Sequence, residues 1–161
     1  MILDLIALSN ESRVWIYQAK REFTYEELDA IRHRLFPFLT EWTSHNQALS
    51  TYGNVFHKRF IALFVDESKA HKASGCSIDA SVHFMQSLEH EFQNPLFDRM
   101  DYAYMVDEEI YTIHHNDLAQ AYEKGHITDE TLFFDNLVKT KGDFLKEWLK
   151  PLKDSWHFRF I

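Results

Sequence analysis

Residues 13–20, Arg13-Val-Trp-Ile-Tyr-Gln-Ala-Lys20, are rich in β-branched and aromatic side chains and carry apolar groups on both alternating faces. Such a stretch reads as a strand covered on both sides, which demands layers above and below its sheet. With 161 residues the chain fits one domain able to bury about two-thirds of its unfolded surface. Apolar residues at 45% and aromatic residues at 16% exclude a disordered chain, which is poor in aromatic groups.

The elements after the first strand follow from local signals. Thr24-Tyr-Glu-Glu27 is a capping box that opens a helix with Leu28, Ile31, Leu35, Leu39 and Trp42 along one face. Pro37 lies inside that pattern and predicts a kink or break near residues 34–36. Residues 48–66 hold two strands, the second over 55–65, with Gly53-Asn54 and His57-Lys58 as alternative turns between them. The run 67–74 is a polar connection. A second helix then carries Ile78, Val82, Met85, Leu88 and Phe92 on its apolar face and ends before Asn94-Pro95.

Residues 102–106 and 110–114 alternate and form a hairpin whose acidic tip, Asp107-Glu108-Glu109, faces water. Asn116 is placed to cap a short helix that Gly125 ends, and residues 131–138 read as either a strand or the start of a helix. Thr140-Lys-Gly-Asp143 opens a further helix with Phe144, Leu145, Trp148 and Leu149 on its apolar side, which Pro151 stops or bends. The aromatic end, Trp156-His-Phe-Arg-Phe160, packs back on the domain. The predicted fold class is therefore α+β: a ferredoxin-like β-α-β-β-α-β core over residues 13–106, with an added hairpin strand and C-terminal helices over 107–161, all within a single domain spanning 1–161.

Asp and Glu outnumber Lys and Arg by 25 to 17, a formal net charge of −8. Phosphate binding rests on basic side chains, so nucleic acid is not an expected partner. The mixed charges near Lys139, Lys141, Lys146, Lys150 and Lys153 read as a solvated helix face. The apolar start, residues 1–8, is short, holds Asp4 and lacks a basic leader, so it does not read as a signal peptide; nothing approaches a membrane span. One cysteine forms no internal disulfide, in keeping with an expected cytoplasmic location.

The stretch Ser74-Gly-Cys-Ser-Ile-Asp79 concentrates the chemistry. It holds the only cysteine and one of four glycines at the start of the second helix. Backbone N–H groups are unpaired at such an end, and the helix dipole is positive. Ser74, Gly75, Cys76 and Ser77 are therefore expected to bind a small ligand through backbone N–H groups, with Asp79 at the rim, where its other role is to stabilise the first helical turn. Cys76 is the one candidate nucleophile or redox thiol, because a helix N-terminus favours the thiolate; its alternative is that of a small buried apolar residue. Asp98 and Arg99 follow the proline turn and are candidates for the same site, Arg99 as an anion contact. The ten histidines do not form a metal-binding spacing: His114-His115 point to opposite faces of a strand, and His83 and His90 are seven apart. No metal and no cofactor is expected.

Six segments carry a resemblance: Ser12-Arg-Val-Trp-Ile-Tyr-Gln-Ala, Arg59-Phe-Ile-Ala-Leu, Ser74-Gly-Cys-Ser-Ile-Asp-Ala-Ser-Val, Leu96-Phe-Asp-Arg, Asn136-Leu-Val-Lys-Thr-Lys and Ser155-Trp-His-Phe-Arg-Phe. Together they resemble a family of small Bacteroidetes proteins often labelled "ABC transporter ATPase". The resemblance implies a soluble bacterial protein and supplies no catalytic residues. The label itself requires Gly-x-x-x-x-Gly-Lys-Ser/Thr to wrap phosphates, and no Gly-Lys pair occurs here. The expectation is a noncatalytic domain that binds a small ligand or a protein partner near residues 74–79. The alternatives are a small enzyme using Cys76 and a structural subunit that oligomerises through an aromatic surface.

Overall fold

In the computed structural model, which describes residues 1–68 and 71–161, β1 spans Arg13–Gln18 and leads into α1, Tyr25–Glu41. Thr24 caps α1 as its sequence requires: its hydroxyl accepts from the Glu27 N–H, and the Glu27 carboxylate accepts from the Thr24 N–H. The same carboxylate takes a two-pronged bond from Arg21 at 2.8 and 2.9 Å, which holds the Glu27 carboxyl down to about 2. α1 runs through Pro37 without the break expected near residues 34–36. Pro37 is exposed, so the carbonyl that loses its helical partner faces water, while buried Leu28, Ile31, Leu35 and Leu39 anchor the helix on both sides of it.

A two-residue-per-strand hairpin follows, β2 (Thr43–Ser44) and β3 (Gln47–Ala48), turned by His45 and Asn46 at φ of 51° and 63°. β4 (Thr51–Phe56) and β5 (Phe60–Val65) come next. The turn between them is His57-Lys58, at φ of 53° and 58°, closed by the Arg59 N–H on the Phe56 carbonyl. The second strand thus begins at Phe60 rather than at Val55, which belongs to β4. Gly53, the alternative turn, lies inside β4, where an added Cβ would stand 3.1 Å from side-chain carbons of both Leu39 and Leu63. α1 therefore presses on β4 at a point where a side chain fits only if the Leu39 and Leu63 side chains give way. Gly53→Val is expected to lower unfolding free energy by about 1–3 kcal/mol, the usual effect of overpacking, measurable as a lower urea midpoint at unchanged slope.

The sheet order is β1-β5-β4, antiparallel throughout. All six residues of β5 are buried: Ile61, Leu63 and Val65 face a core with α1, and Phe60, Ala62 and Phe64 are fully buried on the opposite face. α2 (Gly75–Phe92) completes that core with Met85 and Leu88. It ends as expected before Asn94-Pro95, with Gln93 in the left-handed region, φ 49°. The buried Asn94 amide then clasps the Arg21 backbone, accepting from its N–H at 3.1 Å and donating to its carbonyl at 3.0 Å. Beside β1, on the edge away from β5, residues 139–142 take the outer position: Val14 N–H donates to the Lys139 carbonyl, and Lys141 N–H to that of Ser12.

The fourth core strand expected from residues 102–106 is not in this sheet. β6 (Asp101–Val106) belongs to a separate four-stranded sheet, ordered β7-β6-β8-β9, with β7 at Glu109–His114. The chain accordingly divides into two units, Met1–Phe97 with Lys139–Gly142, and Asp98–Val138 with Asp143–Ile161. The boundary between the units falls ahead of β6, between Phe97 and Asp98. Helices and sheets are both present, so the class is α+β.

In the second unit, Asp107 and Glu108 turn the β6–β7 hairpin at φ of 52° and 66°, exposed as expected, and Glu109 joins β7. α3 (Leu118–Glu123) is preceded by a 3-10 turn, His115–Asp117; Asn116 does not cap it but donates its N–H to the His114 ring. Gly125, at φ 75°, follows α3. Residues 131–138 resolve as β8, Leu132–Phe134. α4 (Lys141–Glu147) ends well before Pro151, which instead closes β9, Leu149–Pro151. The expected apolar side of α4 is only half right, since Phe144 and Trp148 are buried but Leu145 is exposed.

The C-terminal aromatics do pack inward. Trp156 and Phe160 join Tyr102, Leu118, Ile127, Phe133 and Leu152 in the unit's core. His157 is buried there, its Nδ1 2.6 Å from the Ser155 hydroxyl, and burial drives its pKa down to about 4. Nearby Asp135 accepts from Lys150 Nζ at 3.0 Å, Trp156 Nε1 at 2.9 Å and the Leu137 N–H at 3.0 Å, so this buried carboxylate is fully partnered.

Candidate functional site

Ser74 is the N-cap of α2, extended at φ −101° and ψ 172°. Its hydroxyl accepts from the Ser77 N–H, while Ser77 Oγ accepts from the Ser74 N–H and stands 2.9 Å from the Ser74 carbonyl. This is a capping box in which a serine takes the place usually held by Glu or Gln. Both hydroxyls are thereby committed to the helix start, and Ser77 is buried. The Ile78 N–H bonds the Ser74 carbonyl in turn. The N–H groups of Gly75 and Cys76 have no acceptor among the described residues, and both residues are exposed. These two donors, at the positive end of an 18-residue helix, are what the segment offers to a ligand.

Cys76 is exposed rather than packed as a small apolar residue. The buried stripe of α2 is Ser77, Ser81, Met85 and Leu88; Ile78, Val82 and Phe92 of the expected apolar face are only half-buried. The reason at Ser77 is a long-range contact. Trp42 is itself buried, and its indole N–H donates to the Ser77 carbonyl at 2.8 Å. A bulky residue facing Trp42 would crowd the indole that makes this bond.

A cleft of about 480 Å³ opens beside this helix start. The end of α1 contributes Phe38, Glu41 and Trp42, the β2–β3 hairpin Thr43, His45 and Asn46, and α2 Ser74, Cys76, Ser77 and Ala80. Its aromatic wall is braced from behind: Phe38 stacks on Phe84 with centroids 4.3 Å apart and lies 5.1 Å from Trp42, which in turn meets Trp15 at 5.9 Å. The cleft thus joins a rigid apolar wall, one carboxylate, one imidazole, one exposed thiol and the start of a helix.

Of the residues expected at the site, Ser74, Cys76 and Ser77 line this cleft. Gly75 is exposed at its helix position with nothing within 4 Å of where a Cβ would stand, and Asp79 is exposed on the first turn of α2; neither is part of the lining. Asp98 and Arg99 belong to the second unit. Asp98 accepts from the Met100 N–H at 2.9 Å, Arg99 is exposed, and neither lines the cleft. The contributions of α1 and of the small hairpin were not expected from the sequence. The only local trace of them is Trp42 at the end of the α1 apolar stripe and the turn-forming pair His45-Asn46. Among the described residues, no group of three or more His, Cys, Asp or Glu converges as a metal site, and no helix is long and apolar enough to cross a membrane. No protein-family model, curated protein or solved structure matches the chain.

Proposed function

We propose that this protein is a noncatalytic cytoplasmic binding domain whose cleft between α1, the β2–β3 hairpin and α2 takes a small ligand. The ligand class that fits is a planar apolar or aromatic molecule bearing a hydrogen-bond acceptor. Its ring lies against Phe38 and Trp42, and its acceptor meets the Cys76 N–H. The observation that carries this reading is the coincidence of the unspent Cys76 N–H at the α2 start with a braced aromatic wall in a cleft of about 480 Å³, within the usual size range of small-molecule sites. The bacterial origin implied by the Bacteroidetes resemblance belongs to the same reading. So does kinship with ferredoxin-like layouts: β1, α1, β4 and β5 in the order β1-β5-β4 make a split β-α-β unit, with residues 139–142 beside β1.

Benzoate and indole serve as first probes, one with an anionic acceptor and one without. Amide shifts at Gly75 and Cys76 that move more with benzoate, together with slower iodoacetamide labelling of Cys76, are the expected outcome. Unchanged amide spectra and an unchanged labelling rate with both probes at millimolar concentration would count against the cleft as a ligand site. A second reading, a small enzyme using Cys76, is favoured by the exposure of the thiol on a cleft that His45 also lines. Labelling across pH separates the two: an apparent pKa far below about 8.5 supports the activated thiol, and one at or above it supports binding alone.

A further inference from the structure

Among the described residues, the outer edges of β1, β4 and β9 are closed or blunted, and that of β7 is not. Beside β1 lie residues 139–142; β4 is met at Thr51 by the first residues of the chain, and its Val55 N–H is taken by the Asn54 side chain at 2.8 Å. β9 is three residues long and carries Lys150 and Pro151, both of which discourage further pairing. β7 is six residues long, lies at the end of its sheet beyond β6, and contains neither proline nor lysine. In a hairpin closed by the two-residue turn Asp107-Glu108, the register pairs Val106 with Glu109, Tyr104 with Tyr111 and Tyr102 with Ile113 as the hydrogen-bonded pairs. The backbone groups of Ile110, Thr112 and His114 therefore point away from β6. Among the described residues none of them has a hydrogen-bond partner on that side.

We infer that this edge pairs antiparallel with β7 of a second copy of the chain, about a two-fold axis at Thr112. Outward-pointing groups must meet outward-pointing groups, so the register places Thr112 opposite Thr112, and Ile110 opposite His114 of the second copy. On the other face the same register sets Tyr111 against Ile113 of the second copy. Two of these oppositions are of kinds that sheets favour: two β-branched hydroxyl residues at the axis, and an aromatic with a β-branched residue beside it. Tyr111 is 49% exposed although it already stacks on Tyr104, at 5.7 Å, and Ile113 is half-buried, so the pairing covers apolar surface that a single copy leaves in water. The two four-stranded sheets become one of eight strands with β7 no longer at an edge. This pairing lies in the second unit and does not depend on the ligand cleft.

The test uses the full chain in analytical ultracentrifugation and amide hydrogen exchange. The expected result is a concentration-dependent dimer in which the amides of Ile110, Thr112 and His114 gain protection as dimer forms. Thr112→Pro removes an outward N–H without touching the β6 ladder and, because the two-fold doubles its effect, raises the dissociation constant roughly tenfold or more. Thr112→Lys, which keeps the backbone donor and so guards against a folding defect in the proline variant, has the same direction of effect through like-charge opposition at the axis. A chain that stays monomeric at millimolar concentration overturns the inference. So does a dimer that both variants leave intact while those three amides exchange freely.

Discussion

Replacing Trp42 by alanine is expected to lower the unfolding free energy by about 3–5 kcal/mol, the range for deleting a large buried aromatic side chain. Three losses combine at this position. The indole is almost wholly buried between Trp15 and Phe38, so its removal leaves a cavity in the core. The Ser77 carbonyl loses the donor that meets it at 2.8 Å in a buried setting. The wall of the cleft loses the brace that joins α1 to the start of α2. Trp42→Phe separates these contributions, since it keeps a ring and drops the donor, and should cost about 1–3 kcal/mol. Urea denaturation followed by circular dichroism measures both. If the two variants proved equally destabilising, the hydrogen bond rather than the packing would be the main tie. Equality with the parent protein in both would remove Trp42 from any structural account of the cleft.

Acidification is expected to weaken the second unit well before its carboxylates are neutralised, through His157. The imidazole is buried among Tyr102, Phe133 and Trp156, with its Nδ1 facing the Ser155 hydroxyl, so burial opposes its charged form; Lys150 and Arg159 oppose it further, and Asp135 alone favours it. Its folded pKa of about 4 lies below the ordinary value of 6.5. The unfolded chain therefore binds this proton more readily than the folded one. Stability from this group is complete above pH 6.5 and is lost as pH falls toward 4, by about 3 kcal/mol at about 1.4 kcal/mol per pH unit. His57, whose pKa is also lowered by burial, adds a slope of the same sign. The measurement is the difference in unfolding free energy between parent and His157→Asn across pH 4 to 7. The variant retains an acceptor for Ser155 and carries no titrating group. A difference that does not change with pH would show that His157 is not protonated on unfolding in this window.

Local signals were well expressed in the chain, and the reason is that they act over a few residues. Thr24 and Glu27 form their box because both partners lie on one helical turn, and the Ser74 cap, the Gln93-Asn94-Pro95 ending and the acidic β6–β7 tip follow in the same way. Errors appear where a distant partner decides. Pro37 does not interrupt α1, because its exposed side lets water satisfy the freed carbonyl while four buried leucine and isoleucine side chains hold the axis. Ser77 and Ser81, polar by sequence, are buried in place of Ile78 and Val82, at Ser77 because Trp42 approaches its carbonyl from another helix. Three of the ten residues lining the candidate site were legible for the same reason. Ser74, Cys76 and Ser77 announce a helix start locally, but the residues facing them across the cleft come from α1 and a six-residue hairpin some thirty positions earlier. Asp98 and Arg99, close in sequence to the end of α2, went to the other unit.

The amino-acid sequence by itself determined the α+β class, the two capped helices, the strands β1, β6 and β7, the presence of two strands within residues 48–66, and a helix start carrying the only thiol, since each follows from short-range periodicity, capping and turn chemistry. Tertiary structure alone decided that β6 pairs with β8 instead of entering the first sheet, and that Lys139 and Thr140, which carry no strand signature, stand beside β1. It also decided that the thiol opens onto an aromatic cleft and that β7 keeps a bare edge. Backbone hydrogen bonding is nearly indifferent to side-chain identity, so which segment fills an edge depends on what the rest of the fold brings there.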